Sequence, residues 1–204
     1  MIWFSWQVSE RGYRYTDGAL IANSVGTARA LACLREEFAE RICLEFADLE
    51  CVPDKICDFA DRFGLLRSFS ARPEPISIWK EEINSIREVL SMAASGNTPL
   101  TAVKYAEGWE RQTGVEAAFL PNVDKSDLEF RCIPHDFASW LWLQVGHILC
   151  ERTVGRCRQC DNIFFKGGGK GRRRTQSRST KRFCSIECKI FFNNSISKIK
   201  RLAK

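Results

Sequence analysis

The chain has 204 residues, 45% hydrophobic and 27% charged, a composition that supports a packed core and excludes a wholly disordered or collagen-like chain. By length it reads as one domain, or one domain with an appended module. The net charge of +6 hides an asymmetry: residues 152–204 hold sixteen Lys and Arg against Asp161 and Glu187, a net +14, and residues 1–151 are left at −8. A basic C-terminal quarter after an acidic body is the charge pattern of a module that faces a polyanion.

No apolar run reaches the roughly 20 residues of a membrane helix, Phe137–Cys150 being short and interrupted by Gln144 and His147. The opening MIWFSWQVSERGYRY lacks the basic start and cleavage site of a secretory signal, so the expectation is a cytoplasmic protein with no membrane contact.

Along the chain, residues 2–25 alternate aromatic and polar side chains around Gly12 and Gly18 and predict a short hairpin or arm. Residues 27–50 predict a partly helical stretch. Pro53 opens a helix whose face is Ile56, Phe59, Ala60 and Phe63, and Gly64 is placed to end it in a left-handed conformation. A second apolar stripe, Trp79, Ile83, Ile86, Leu90 and Ala93, runs to a stop at Gly96-Asn97. Residues 100–121 are mixed, and residues 127–133 alternate as a strand able to pair with residues 117–120. From Pro134 a helix apolar nearly all round, FASWLWLQVGHILC, is expected at the centre of the body, with a core of Trp140, Leu141, Leu143, Val145, Ile148 and Leu149.

Of ten cysteines, Cys33, Cys43, Cys51, Cys57, Cys132 and Cys150 match no ligand spacing and read as small buried thiols. Cys157, Cys160, Cys184 and Cys188 are different. Two close pairs separated by a loop bring four thiolates to one tetrahedral point, which is what a closed structural zinc site needs. The first pair suits a knuckle, and the second sits at the start of a helix striped by Phe192, Ile196 and Ile199, where the helix dipole favours thiolates. Knuckle, hairpin and helix is the order of a treble-clef finger. A redox pair would instead lie in a βαβ context and leave Cys184 and Cys188 without a role.

Between the pairs runs KGGGKGRRRTQSRSTKR, which lacks the Gly-Lys-Ser/Thr ending of an NTP-binding loop. Lys170, Arg172, Arg173, Arg174, Arg178, Lys181 and Arg182 are its candidate phosphate contacts on a nucleic acid. His135 reads as a helix-start residue and His147 as a core histidine. No motif specific to an enzyme is present, and the chain is expected not to be one.

The stretch W140-L-W-L-Q-V-G-H-I-L, then C157-R-Q-C160 with Phe164 or Phe165, the Arg-rich loop and F183-C184-S-I-E-C188-K resembles the CGNR-type zinc fingers at the C-terminus of bacterial proteins. ICLEFADLE and FADRFGLL resemble the N-terminal domain of that group more loosely. The resemblance implies zinc on Cys157, Cys160, Cys184 and Cys188, and a DNA-binding role in transcription regulation. Lys189-Ile190-Phe191 stands where the family has Gly-Asn-Arg, and the loop is longer. The expected fold is mainly α with a short β-hairpin or two: a helical N-terminal domain over residues 1–151, open to an unidentified ligand or protein, and a basic treble-clef-like zinc finger over 152–204. Its expected partner is nucleic acid, duplex DNA ahead of RNA; the alternative is an adaptor whose finger meets an acidic protein.

Overall fold

The computed structural model describes residues 6–24, 28–31, 36–67, 72–111, 114–122, 127–166 and 181–202. Two short strands, β1 (Trp6–Ser9) and β4 (Ala28–Leu31), pair antiparallel, and between them β2 (Tyr13–Thr16) and β3 (Ala19–Ala22) form a hairpin that β5 (Glu74–Pro75) extends at one edge. The turn of that hairpin carries Asp17 and Gly18, both at positive φ. The predicted arm is therefore a hairpin whose flanking strand returns to a segment expected to be helical. Later in that segment lies helix α1 (Glu36–Asp48).

Helix α2 (Pro53–Phe63) has the predicted bounds and buries Ile56, Phe59, Ala60 and Phe63. Gly64 ends it at φ 85°, but ψ is −175°, so the chain leaves extended and not in the left-handed helical turn expected. The exit is held by the Trp6 indole, which donates to the Phe63 carbonyl. Helix α3 (Ile76–Ser95) carries the predicted stripe, and Gly96 (φ 82°, ψ 12°) closes it with its amide donating to Ala93 and Met92 carbonyls. Helix α4 (Thr98–Glu110), which the mixed composition of residues 100–121 concealed, starts at Asn97, whose side chain accepts from the Leu100 amide.

Strands β6 (Val115–Asn122) and β7 (Asp127–Pro134) pair as predicted, with Ala117 opposite Cys132 and Leu120 opposite Glu129. Helix α5 (Phe137–Glu151) starts three residues after Pro134, because Asp136 provides the cap, accepting from the Ser139 amide at 2.7 Å. His135 lies outside the helix, 3.3 Å from Glu116. The finger then adds β8 (Val154–Arg156), β9 (Ile163–Phe165) and α6 (Ile186–Leu202). Six helices with small antiparallel sheets, among the described residues, make the fold mainly α with short hairpins.

The core lies where α1, α2, α3 and α5 meet. Trp140, Leu141, Val145 and Ile148 of α5 are buried as predicted, while Leu143 and Leu149 are half-buried at its edge. Aromatic rings form a chain through the middle: Trp6 on Phe137 (5.0 Å between centroids), Phe137 on Trp140 (5.5 Å), Phe59 on Phe63 (4.7 Å) and Phe46 on Phe59 (5.4 Å). Burial of each such side chain stabilises the fold by about 1.5–3 kcal/mol. Arg87 of α3 donates to the Ala47 and Leu49 carbonyls, both at 2.7 Å, and so supplies the cationic cap that the last turn of α1 lacks.

The scattered thiols are less buried than expected. Cys43 is the one of them fully buried among the described residues; Cys51, Cys57 and Cys132 are half-buried and Cys150 is exposed. Cys57 and Cys150 lie on α2 and α5, Cys51 in the bend between α1 and α2, and Cys132 on β7, all at the margin of the core. Cys33 lies outside the described residues.

Candidate metal centre

Strands β8 and β9 pair with Val154 opposite Phe165 and Arg156 opposite Ile163, and the turn that joins them carries Cys157 and Cys160. The turn is shaped by backbone bonds: the Cys157 amide donates to the Asn162 carbonyl (2.9 Å) and the Asp161 amide to the Cys157 carbonyl (3.0 Å). Asp161 sits at φ 62°, a left-handed position that Asp tolerates better than most residues. Arg156 bridges the base of the turn, 2.7 Å from the Asp161 carboxylate. The Arg158 amide donates to the Arg182 carbonyl at 3.0 Å, tying the knuckle to the segment that brings in the second pair.

That second pair straddles the start of α6. Cys184 precedes the helix and Cys188 lies in its first turn, where the Cys188 amide donates to Ser185 Oγ at 3.2 Å. Phe183 and Phe192, 5.2 Å apart, pack beside the pair and give the small module an apolar floor.

The four Sγ atoms all lie within 4.8 Å of one another, with Cys160–Cys184 at 3.6 Å and Cys184–Cys188 at 3.5 Å. Metal–sulfur bonds of about 2.3 Å in a tetrahedron put neighbouring sulfurs about 3.8 Å apart. The observed spacing fits that figure and is far longer than a disulfide, so these four cysteines could hold one metal ion.

The electrostatics show what the group lacks without a cation. Burial raises the Cys157 thiol, but hydrogen bonds from the backbone amides of Cys160, Cys184 and Gln159 and from the Cys160 thiol outweigh it and bring Cys157 down to about 6. Burial, followed by its thiol neighbours, pushes Cys184 up to about 12. Burial also raises Cys160. One sulfur can carry the charge while its neighbours donate to it, and a dication is what lets all four ionise together.

Of the seven basic residues singled out in the loop, Lys170, Arg172, Arg173, Arg174 and Arg178 lie outside the described residues. Lys181 and Arg182 are exposed. Lys181 serves the site itself: its Nζ donates to the Cys184 carbonyl at 3.2 Å and stands 5.3 Å from the Phe164 ring. The Cys184 contact is local, three residues along the chain, whereas the approach to Phe164 depends on how the two halves of the finger close.

The run of residues 151–156 from α5 straight into the cysteine module predicts a tight junction with the body, but spacing along the chain does not show which residues make it. Glu40 of α1, 3% exposed, accepts from Arg152 Nε at 2.7 Å, and His147 Nδ1 is 3.9 Å from the same carboxylate oxygen. Val154 and Ile163 of the finger hairpin belong to the same buried cluster as Trp79 and Leu141 of the body. An open groove beside this junction is lined by Asp48, Asn84, Arg87, Arg156 and Asp161. No described helix is long and apolar enough to cross a membrane.

No protein-family model matches the chain, and no curated protein aligns with it significantly, so the likeness to CGNR-type fingers stands on the motif residues alone.

Proposed function

We propose that this chain is a zinc-dependent nucleic-acid-binding protein, a DNA-binding regulator whose C-terminal finger approaches the duplex. The observation that carries the reading is the convergence of Cys157, Cys160, Cys184 and Cys188 inside a segment of net +14. Four thiolates around one dication leave a charge of about −2, and this closed, all-sulfur set suits zinc in a structural role. Neutralising that charge needs few of the sixteen basic residues; the others are available to phosphates. The acidic body repels a polyanion, so approach is restricted to the finger.

The test has two stages. Protein purified without chelator is expected to carry one zinc per chain by elemental analysis. Binding to duplex DNA over a salt series is expected to give a slope of log affinity on log salt of roughly −4 to −5, about 0.9 per phosphate contacted. Replacing Arg172, Arg173 and Arg174 together by Ala should lower that slope by up to about 3 and weaken all sequences alike. Triple-variant binding equal to the parent at every salt concentration would leave the adaptor with an acidic protein partner as the better reading.

A further inference from the structure

We propose that the outward face of α6 reads base edges in the major groove of A·T-containing duplex DNA, with Ile186 and Ile190 against thymine methyls and Asn194 on adenine. This rests on the nucleic-acid reading above and adds to it a sequence preference and the residues that set it.

Helix α6 has two unlike faces. Cys188 and Phe192 turn inward to the metal site and to Phe183. On the other side Ile186, Ile190 and Asn194 follow one another at intervals of four and so form one line along the helix. Ile186 is 68% exposed and Ile190 54%, and Asn194 is exposed as well. Phe191, 63% exposed, broadens the apolar end of the line. Of the eight large hydrophobic side chains exposed among the described residues, four are on this helix. Such clustering marks a contact surface, whereas single exposed apolar residues need no explanation.

The helix is free to enter a groove. Among the described residues α6 packs broadly against no other element. A helix with its side chains is about 10–12 Å across, which matches the roughly 12 Å major groove. The eight helical steps from Ile186 to Asn194 cover about 12 Å, or three to four base-pair steps. The first turn is pinned by Cys184 and Cys188, so the direction of the helix is set before any contact is made.

The chemistry of the line selects the bases. The thymine C5-methyl is the one apolar group on the major-groove edge and meets an Ile side chain without desolvating a polar atom. The Asn amide offers a donor and an acceptor that match adenine N7 and N6–H. The same helix carries Lys189, Lys198, Lys200 and Arg201, which suit a polyanion and make a second copy of this helix an unfavourable occupant by like-charge repulsion.

The experiment uses the full chain loaded with zinc. Selection from a random 20-base-pair duplex library is followed by anisotropy titrations of the selected duplex and a shuffled duplex of equal composition, at one salt concentration. The selected duplexes should share a run of three or four A·T pairs, preferred by the parent about ten-fold or more. Ile190→Ala and Asn194→Ala should each lower that preference about five-fold, with affinity for the shuffled duplex falling less and with zinc content and helicity retained. Duplex binding without any enriched sequence overturns the base-reading role, as does a preference that survives in the double variant. Failure of the parent to bind any duplex overturns the nucleic-acid reading itself, and the apolar face is then a protein-docking surface.

Discussion

Glu82 of α3 is 1% exposed, and two donors reach it in the core: Trp142 Nε1 at 2.8 Å and Arg67 at 2.6 Å. A neighbouring buried carboxylate, Glu74, accepts from the Leu66 and Arg67 amides; burial raises its pKa, and those hydrogen bonds hold the rise in check. Removing one partner of such a group costs more than the bond itself is worth, since the other is left unpaired in a dry site. Glu82→Ala should therefore destabilise the protein by about 2–4 kcal/mol, the upper end being limited because Arg67 is 40% exposed and can turn to water. Glu82→Gln, which keeps an acceptor for the indole, should lose less. Urea midpoints of the two variants check the order, and equal midpoints would show that the charge matters and not the hydrogen bond to Trp142.

At the scale of elements, the contact between α4 and α5 turns on Gly108. A Cβ there would fall inside the van der Waals envelope of the Trp142 indole, and that ring cannot yield easily because Glu82 holds its Nε1. Helix propensity alone favours Gly108→Ala by about 1 kcal/mol. Overpacking against a fixed ring costs about 1–3 kcal/mol or more and wins. The variant should be less stable by about 1–2 kcal/mol, measured by denaturant unfolding, with the α3–α4 side of the body affected first. A more stable Gly108→Ala protein would mean that α4 and α5 part readily enough to admit the methyl group. The reason a glycine occupies the last turn of this helix is thus tertiary: the Trp142 ring leaves no room for a side chain there.

For the whole molecule, the decisive feature is that the finger hairpin shares the body's core. Val154 and Ile163 are 5% and 6% exposed within one cluster with Trp79 and Leu141, and Arg152 is held by Glu40. On the proposed reading, metal binding is coupled to the folding of the finger, so removing the metal loosens the hairpin and withdraws support from the body as well. All six tryptophans lie in residues 1–151, so their fluorescence reports on the body alone. Chelation, or Cys184→Ser, should lower the tryptophan-monitored thermal midpoint by about 5 °C, as expected for a loss of about 2 kcal/mol in a chain of this size, while the body remains folded. An unchanged midpoint after complete loss of metal would show that the hairpin contributes nothing to the core it touches.

The parts of this protein legible in its sequence are those governed by short-range spacing. Pro53 and the Ile56–Phe63 periodicity set the bounds of α2, and the Trp79–Ala93 stripe with Gly96 marked α3, because helix start, face and stop signals act within a few residues. The two cysteine pairs marked the group that could hold a metal ion for the same reason: a knuckle and a helix start each fix two sulfurs locally, and four sulfurs have one economical meeting point. Tertiary structure decided the rest. The return of β4 to β1 and the Arg152–Glu40 bridge join residues whose proximity depends on the closed core. The outward line of Ile186, Ile190 and Asn194 became visible only once Cys188 and Phe192 had been turned inward, because a helix's exposed face is defined by what its other face is bound to.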